Sequence, residues 1–197
     1  MKHLIAAALV SLLAACSLPL SAPQADTTHT LALSAQASVP LAIPVGSTIQ
    51  VATPTAAPGY DTAAMAYRPS AHELRYFARQ RWIDRPARLL GQALMDGFSA
   101  GGARVLAPGS GVRADYRLLS ELLQLEQDFT RQPSRILLSV RLQLVDVGNR
   151  RVLGSRTLRL EQAAASDDPA GGVAAANALV ERAVVESAEF CRELLGN

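Results

Sequence analysis

The strongest constraint on this chain is the run from Leu4 to Leu12. It is almost wholly Ala, Leu, Ile and Val, follows Lys2 and His3, and closes on Leu13-Ala14-Ala15-Cys16. A basic start, a short apolar stretch and small residues before a cut site make a secretory signal. The cysteine turns that site into a lipobox. Cleavage is expected between Ala15 and Cys16, and the Cys16 thiol is expected to carry diacylglycerol. The apolar run is shorter than the roughly 20 residues a membrane-spanning helix needs. Several acyl chains, each adding about 0.8 kcal/mol per buried methylene, hold a protein at a membrane almost permanently. The alternative is an ordinary signal with a cysteine there by chance. The expected organisation is a signal over residues 1–15, a lipidated tether over 16–29 and one domain over 30–197.

A hydrophobic content of 49% is ample for a core. Lys2 is the only lysine, so beyond the signal arginine supplies every permanent positive charge, nearly balanced by 17 acidic residues. A near-neutral chain argues against nucleic acid as a partner. Of the two cysteines, Cys191 has no partner once Cys16 is lipidated, so no disulfide framework exists. Cys191 reads as a small buried residue of a helix. Ser17 to Thr28, rich in Ser, Ala, Pro and Thr, reads as a flexible tether. Ser rather than Asp after the lipidated cysteine favours the outer membrane under enteric-type sorting.

Thr30 to Ala35 and Ser47 to Thr53 alternate as short strands. Ala64 to Arg68 and Glu73 to Ala78 predict a hairpin around Pro69-Ser70. Asp84 is placed to cap a helix with Pro86 in its first turn, and Leu89, Leu90, Ala93, Leu94, Gly97 and Phe98 then recur at helical spacing. Gly101-Gly102 ends it, and Ala103 to Leu106 is a short strand. Three longer strands follow. In Asp115 to Phe129 the apolar phase shifts from Leu118 and Leu122 to Leu123 and Leu125, which predicts a β-bulge. Arg135 to Val147 turns Ile136, Leu138, Val140, Leu142 and Leu144 one way. Gly148-Asn149 reverses the chain, and Arg151 to Gln162 returns with Val152, Leu158 and Leu160 inward. Asp168 caps a last helix with Pro169 first. Its apolar stripe is Val173, Ala176, Val180, Val184, Ser187, Cys191 and Leu194. The expected fold is α+β: an antiparallel meander with two main helices on one face, a two-layer sandwich.

No catalytic constellation stands out, and neither a cofactor nor a metal site is expected. His72, with Glu73, reads as a solvated turn pair rather than half of an acid/base couple. Asp167-Asp168 reads as a helix cap rather than a cation site. Gly109-Ser110-Gly111 lacks the lysine, spacing and following helix of a phosphate loop. Arg75, Arg79, Arg81, Arg85 and Arg88 surround Tyr76, Phe77 and Trp82. This stretch either meets lipid phosphates or an acidic partner, or is the solvated side of a hairpin and helix with its aromatics in the core. Leu119, Leu137, Val145 and Leu153 lie off the core phase. A solvated sheet face should read polar, so either the chain's own N-terminal segment or a partner covers them. Candidate docking residues are therefore Arg75, Arg79, Trp82, Leu137 and Val145.

A series of short motifs runs in order behind Cys16. It comprises Pro58-Gly59-Tyr60-Asp61, Ala66-Tyr67-Arg68, Leu74 with Tyr76, Arg81-Trp82, and Pro86 with Leu89-Leu90. Ala114-Asp115-Tyr116-Arg117-Leu118, Leu125-Glu126-Gln127-Asp128-Phe129, the strand Ile136 to Asp146 and an Ala-rich helix with Asn177 complete it. Over residues 30–195 the chain resembles the ABC-type transport auxiliary lipoproteins. Asp61 follows Tyr60 directly, where members of that family often place a Leu between. The resemblance implies a role without catalysis, beside an ABC transporter that carries an MCE-domain substrate-binding protein and moves phospholipid or other hydrophobic molecules across the envelope. The implied location is the periplasmic face of the outer membrane, with the inner membrane the lesser choice. It carries over only Cys16, as the lipid attachment site, and leaves a homo-oligomer open. The competing reading is an envelope assembly or scaffold lipoprotein without a transport role. A periplasmic hydrolase would need a base, for which the folded part offers only His72.

Overall fold

The computed structural model describes residues 25–34 and 43–196. Ala15 and Cys16 lie outside them. The described residues form one nine-stranded sheet with two long helices against one face, the α+β two-layer arrangement that the periodicities predict.

The frame is the meander of β7 (Tyr116–Asp128), β8 (Arg135–Asp146) and β9 (Arg151–Ala163), antiparallel along its whole length. Ile136, Leu138, Val140, Leu142 and Leu144 are all at most 4% exposed. They face Leu118, Leu122 and Leu125 on one side and Leu158 and Leu160 on the other. Fully burying one such side chain is worth about 1.5–3 kcal/mol, so register is pinned at every second residue. The bulge predicted in β7 is present, as a register shift between Leu122 and Gln124.

A second register shift, between Leu144 and Val145, changes the assignment on β9. Val152 pairs with Val145 and is 51% exposed, whereas Leu153, the extra residue, packs against the core. These two residues therefore exchange the roles that strict alternation gives them. The turn beyond is held by Asp146, which accepts from the backbone N–H of Asn149 and from its side-chain amide.

The N-terminal strands join the sheet in parallel. β2 (Ile49–Val51), β3 (Thr55–Ala56) and β4 (Ala64–Ser70) lie along β7 one after another, from Tyr116 to Asp128. Proline at 54 and a single 3-10 turn at Pro58–Tyr60 break this run into pieces. β5 (Glu73–Trp82) folds back antiparallel to β4, and β6 (Val105–Leu106) edges β2. The hairpin turns at Ala71-His72, two residues beyond the expected Pro69-Ser70. β1 is Thr27–His29 and pairs in parallel with Gln80–Trp82. Folded structure thus starts inside the segment assigned to the tether. Residues 30–34, expected as a strand, instead run past the helices. There the backbone N–H groups of Ala32 and Ser34 donate to the side chains of Asn177 and Glu181.

Helix α1 (Pro86–Ala100) has Pro86 at its first position as predicted, but its N-cap is Arg85. Asp84 sits one residue earlier and accepts from the Arg85 N–H at 2.7 Å. Helix α2 (Pro169–Leu195) is capped by Asp168, which accepts from the Gly171 N–H at 2.8 Å. That hydrogen bond holds the Asp168 carboxyl below the usual carboxylate range. The predicted stripe is inward: Ala176, Val180, Val184, Ser187 and Cys191 are buried, and Val173 and Leu194 pack against the core. The helices touch where a Cβ on Gly97 would lie 2.5 Å from Val184 Cγ1.

Candidate docking face

The helices cover one face of the meander. Residues 30–34 add to that helical layer, through Asn177 and Glu181. At one edge of the opposite face the 3-10 turn at Pro58–Tyr60 and Arg68 cover Glu126, whereas Leu119, Leu137 and Val145 keep part of their surface accessible.

That face is a grid fixed by register. Arg117, Val145 and Val152 make one row, then Leu119, Gln143 and Ser155, then Glu121, Arg141 and Thr157. Past the β7 bulge come Gln124, Ser139 and Arg159, then Glu126, Leu137 and Glu161. Leu119 is 36% exposed, and Leu137 and Val145 are half-buried among polar neighbours. Two ion pairs cross the strands, Arg141 to Glu121 and Arg135 to Glu161 at 2.6 Å. Exposed pairs of this kind contribute at most about 1 kcal/mol each. They fix Arg141 and Arg135 to carboxylates on the neighbouring strands. Two shallow depressions result: one of about 200 Å³ beside Leu119, Arg141 and Gln143, and one of about 290 Å³ beside Leu137, Ser139 and Arg159. The surface can bind a partner through apolar and charged contacts. Among the described residues no group of three or more His, Cys, Asp or Glu could hold a metal ion.

Beside this face, three of the ordered sequence motifs meet. Glu126, 1% exposed, accepts from Arg68 Nε and Nη2, both at 2.6 Å, through Oε1. Its Oε2 accepts from the Tyr60 hydroxyl at 2.5 Å, and Gln124 Nε2 donates to Oε1 at 3.0 Å. Burial and the neighbouring carboxylate push the Tyr60 hydroxyl pKa well up. Tyr76 donates to the Gly59 carbonyl at 2.9 Å and fastens the same turn. Gln127, pointing to the opposite face, donates to Ser134 Oγ and to the Asp168 carbonyl. Tyr67, Phe77 and Phe129 stack on one another with centroids 4.6–6.3 Å apart. The motif series thus marks the joints between β4, β5, β7 and α2. Sequence reasoning saw the motifs but not this convergence, although an acid and an amide inside an apolar strand were a signal for it.

The basic stretch divides. Arg75 pairs with Glu73 and Arg85 with Asp61, and Arg88 lies 3.4 Å from Asp84. Arg79 is exposed. Trp82 is 4% exposed and packs edge-on against His29, so its ring belongs to the core and presents no docking surface. His72 is an exposed turn residue, and Gly109 and Gly111 have positive φ in an exposed loop. Asp167 accepts from the Ser134 N–H at 2.6 Å. Cys191 is fully buried, and burial pushes its thiol up to about 12.

Fold and surface together define a two-layer α+β domain with a partly open sheet face beside a locked polar joint. The family model of the ABC-type transport auxiliary lipoprotein component matches residues 29–188, and the chain belongs to that family. Among solved structures it is similar to protein XCC0632 from Xanthomonas campestris, a DUF330 protein. Identity there is 22%, with 85% of this chain and 95% of that one covered and a TM-score of 0.76. A second solved structure, of an uncharacterized protein, is 12% identical over 87% of this chain and 99% of that one, with a TM-score of 0.62. Both likenesses concern the fold. No curated protein matches the sequence.

Proposed function

We propose that this auxiliary component of ABC-type transport is held by a lipid on Cys16 at the periplasmic face of the outer membrane. There it docks an MCE-type substrate-binding subunit through the open meander face. It performs no chemistry itself. It completes a path along which phospholipid or another hydrophobic molecule crosses the envelope. The observation that carries this reading is that Leu119, Leu137, Val145 and Val152 stay accessible among polar and charged neighbours on the part of the meander face that the 58–60 turn leaves open. A solvated sheet face should read polar, so apolar side chains left on one are suited to a protein contact.

The test is crosslinking of the lipidated protein in intact cells, followed by mass spectrometry of the adducts. Recovery of an MCE-domain protein, lost when Leu137 and Val145 are both changed to Asp, supports the proposal. Recovery of only outer-membrane assembly or cell-wall proteins supports the scaffold reading instead. Recovery of the MCE-domain protein undiminished by the two charges keeps the transport reading and removes the meander face as its docking surface.

A further inference from the structure

The topology carries a second consequence, which rests on the lipid anchor at Cys16. β1 runs parallel to β5, with Thr27 beside Gln80 and His29 beside Trp82. The chain before Thr27 therefore enters from the end of the sheet where β5 begins. That end is shared by the Ala71-His72 turn, the end of β7 at Asp128, the start of β8 at Arg135 and the end of β9 at Ala163. The first turn of α2 lies there too, through Gln127 and Asp168. The opposite end holds the turn between Asp146 and Arg151, the start of β7 at Tyr116 and the close of α2, where Glu193 meets Arg156.

Distances decide which end meets the bilayer. Thr28 is level with Arg81, which pairs with Ala64, four residues before Arg68 at the near end. At about 3.3 Å per residue, Thr27 is roughly 10 Å from the level of Asp128, roughly 20 Å from the Ala71-His72 turn and about 25–30 Å from the far end. Cys16 and Thr27 are eleven residue steps apart. A coil of that length has an end-to-end distance of about 17–20 Å. It reaches about 36–40 Å only when fully extended. The near end lies within the coil's ordinary reach, in the direction the chain already points. The far end requires a reversal and about three quarters of full extension.

We infer that the domain stands with its strands along the membrane normal, the Ala71-His72 end toward lipid headgroups and the Asp146–Arg151 turn away from them. The open meander face is then a side wall, and a partner reaches it alongside the bilayer rather than from above.

The experiment uses the full lipidated chain in vesicles of phosphatidylethanolamine and phosphatidylglycerol that carry a headgroup-labelled energy acceptor. A donor dye is placed on His72→Cys or on Arg151→Cys, both exposed positions. Cys191 is fully buried and stays unlabelled. Energy transfer several-fold stronger from position 72 than from 151 is expected. Inserting twenty Gly/Ser residues after Ser17 should reduce the transfer from position 72. Equal transfer from both positions, or stronger transfer from 151, in protein that floats with the vesicles overturns the orientation and leaves the anchor intact. Protein that does not float overturns the anchor, and the orientation with it.

Discussion

Glu126 and Arg68 meet at 2.6 Å although they lie on different strands, and the Glu126 side chain is fully buried while the Arg68 side chain is 31% exposed. The pair ties β4 to β7, and the Tyr60 hydroxyl on the second carboxylate oxygen ties the 3-10 turn to both. Removing one member of a buried pair leaves the other uncompensated, which costs about 3–5 kcal/mol when both are fully buried. Partial exposure of Arg68 lowers that. Glu126→Ala is expected to lose about 2–4 kcal/mol in urea unfolding, with Tyr60→Phe losing about 1 kcal/mol for one hydrogen bond. Wild-type stability in Glu126→Ala would show that the joint is not structural.

Gly172 lies in the first turn of α2 against Gln127, and a Cβ there would sit 2.3 Å from Gln127 Oε1. The same amide donates to Ser134 and Asp168. Gly172→Ala should therefore push a buried, bonded side chain and destabilise by about 1–3 kcal/mol. Helix propensity alone predicts the opposite sign, a gain of up to about 1 kcal/mol. The direction of the urea midpoint shift separates the two.

Four carboxyls, the exposed Asp115, Asp167 and Asp168 and the half-buried Asp146, are held below their ordinary value of 3.8, chiefly by backbone N–H donors. A carboxyl whose pKa is lower in the folded state than in the unfolded chain stabilises above the unfolded pKa. That contribution disappears as pH falls through the folded pKa. Stability should thus be flat from neutral pH to about 5 and fall below about 4. Asp168→Ala should lower the melting temperature at neutral pH, because an N-cap is lost. It should also show a shallower acid decline in thermal melts across that range.

Cys191 should not react with a thiol reagent in the native protein at pH 8, since it is fully buried and its pKa is pushed up to about 12. It should react fully in denaturant. Rapid native labelling at one thiol per chain would mean that α2 leaves the sheet readily.

Much of the fold was legible because β8 alternates without interruption and α2 announces itself with Asp168-Pro169. The β7 bulge was legible from its change of phase. Three features were not. Parallel docking of Ile49–Arg68 along β7 joins residues more than 55 apart in the chain, and no local pattern encodes such a pairing. The exchange of Val152 and Leu153 depends on a bulge next to a turn, where one extra residue flips every later side chain. Pairing of Thr27–His29 with β5 comes from a polar segment whose composition reads as linker. For the candidate site, the off-phase Leu119, Leu137 and Val145 were visible in the sequence. The joint around Glu126 was visible only as separate motifs.

The central claim is that the open meander face receives the transport partner. Site-resolved photo-crosslinking in living cells tests it most directly, with a photoreactive residue at Leu137, at Val145, or at the exposed Val185 of α2. The account predicts an adduct with an MCE-domain protein from positions 137 and 145 and none from 185. An adduct with that protein from 185 and none from the sheet face would contradict it.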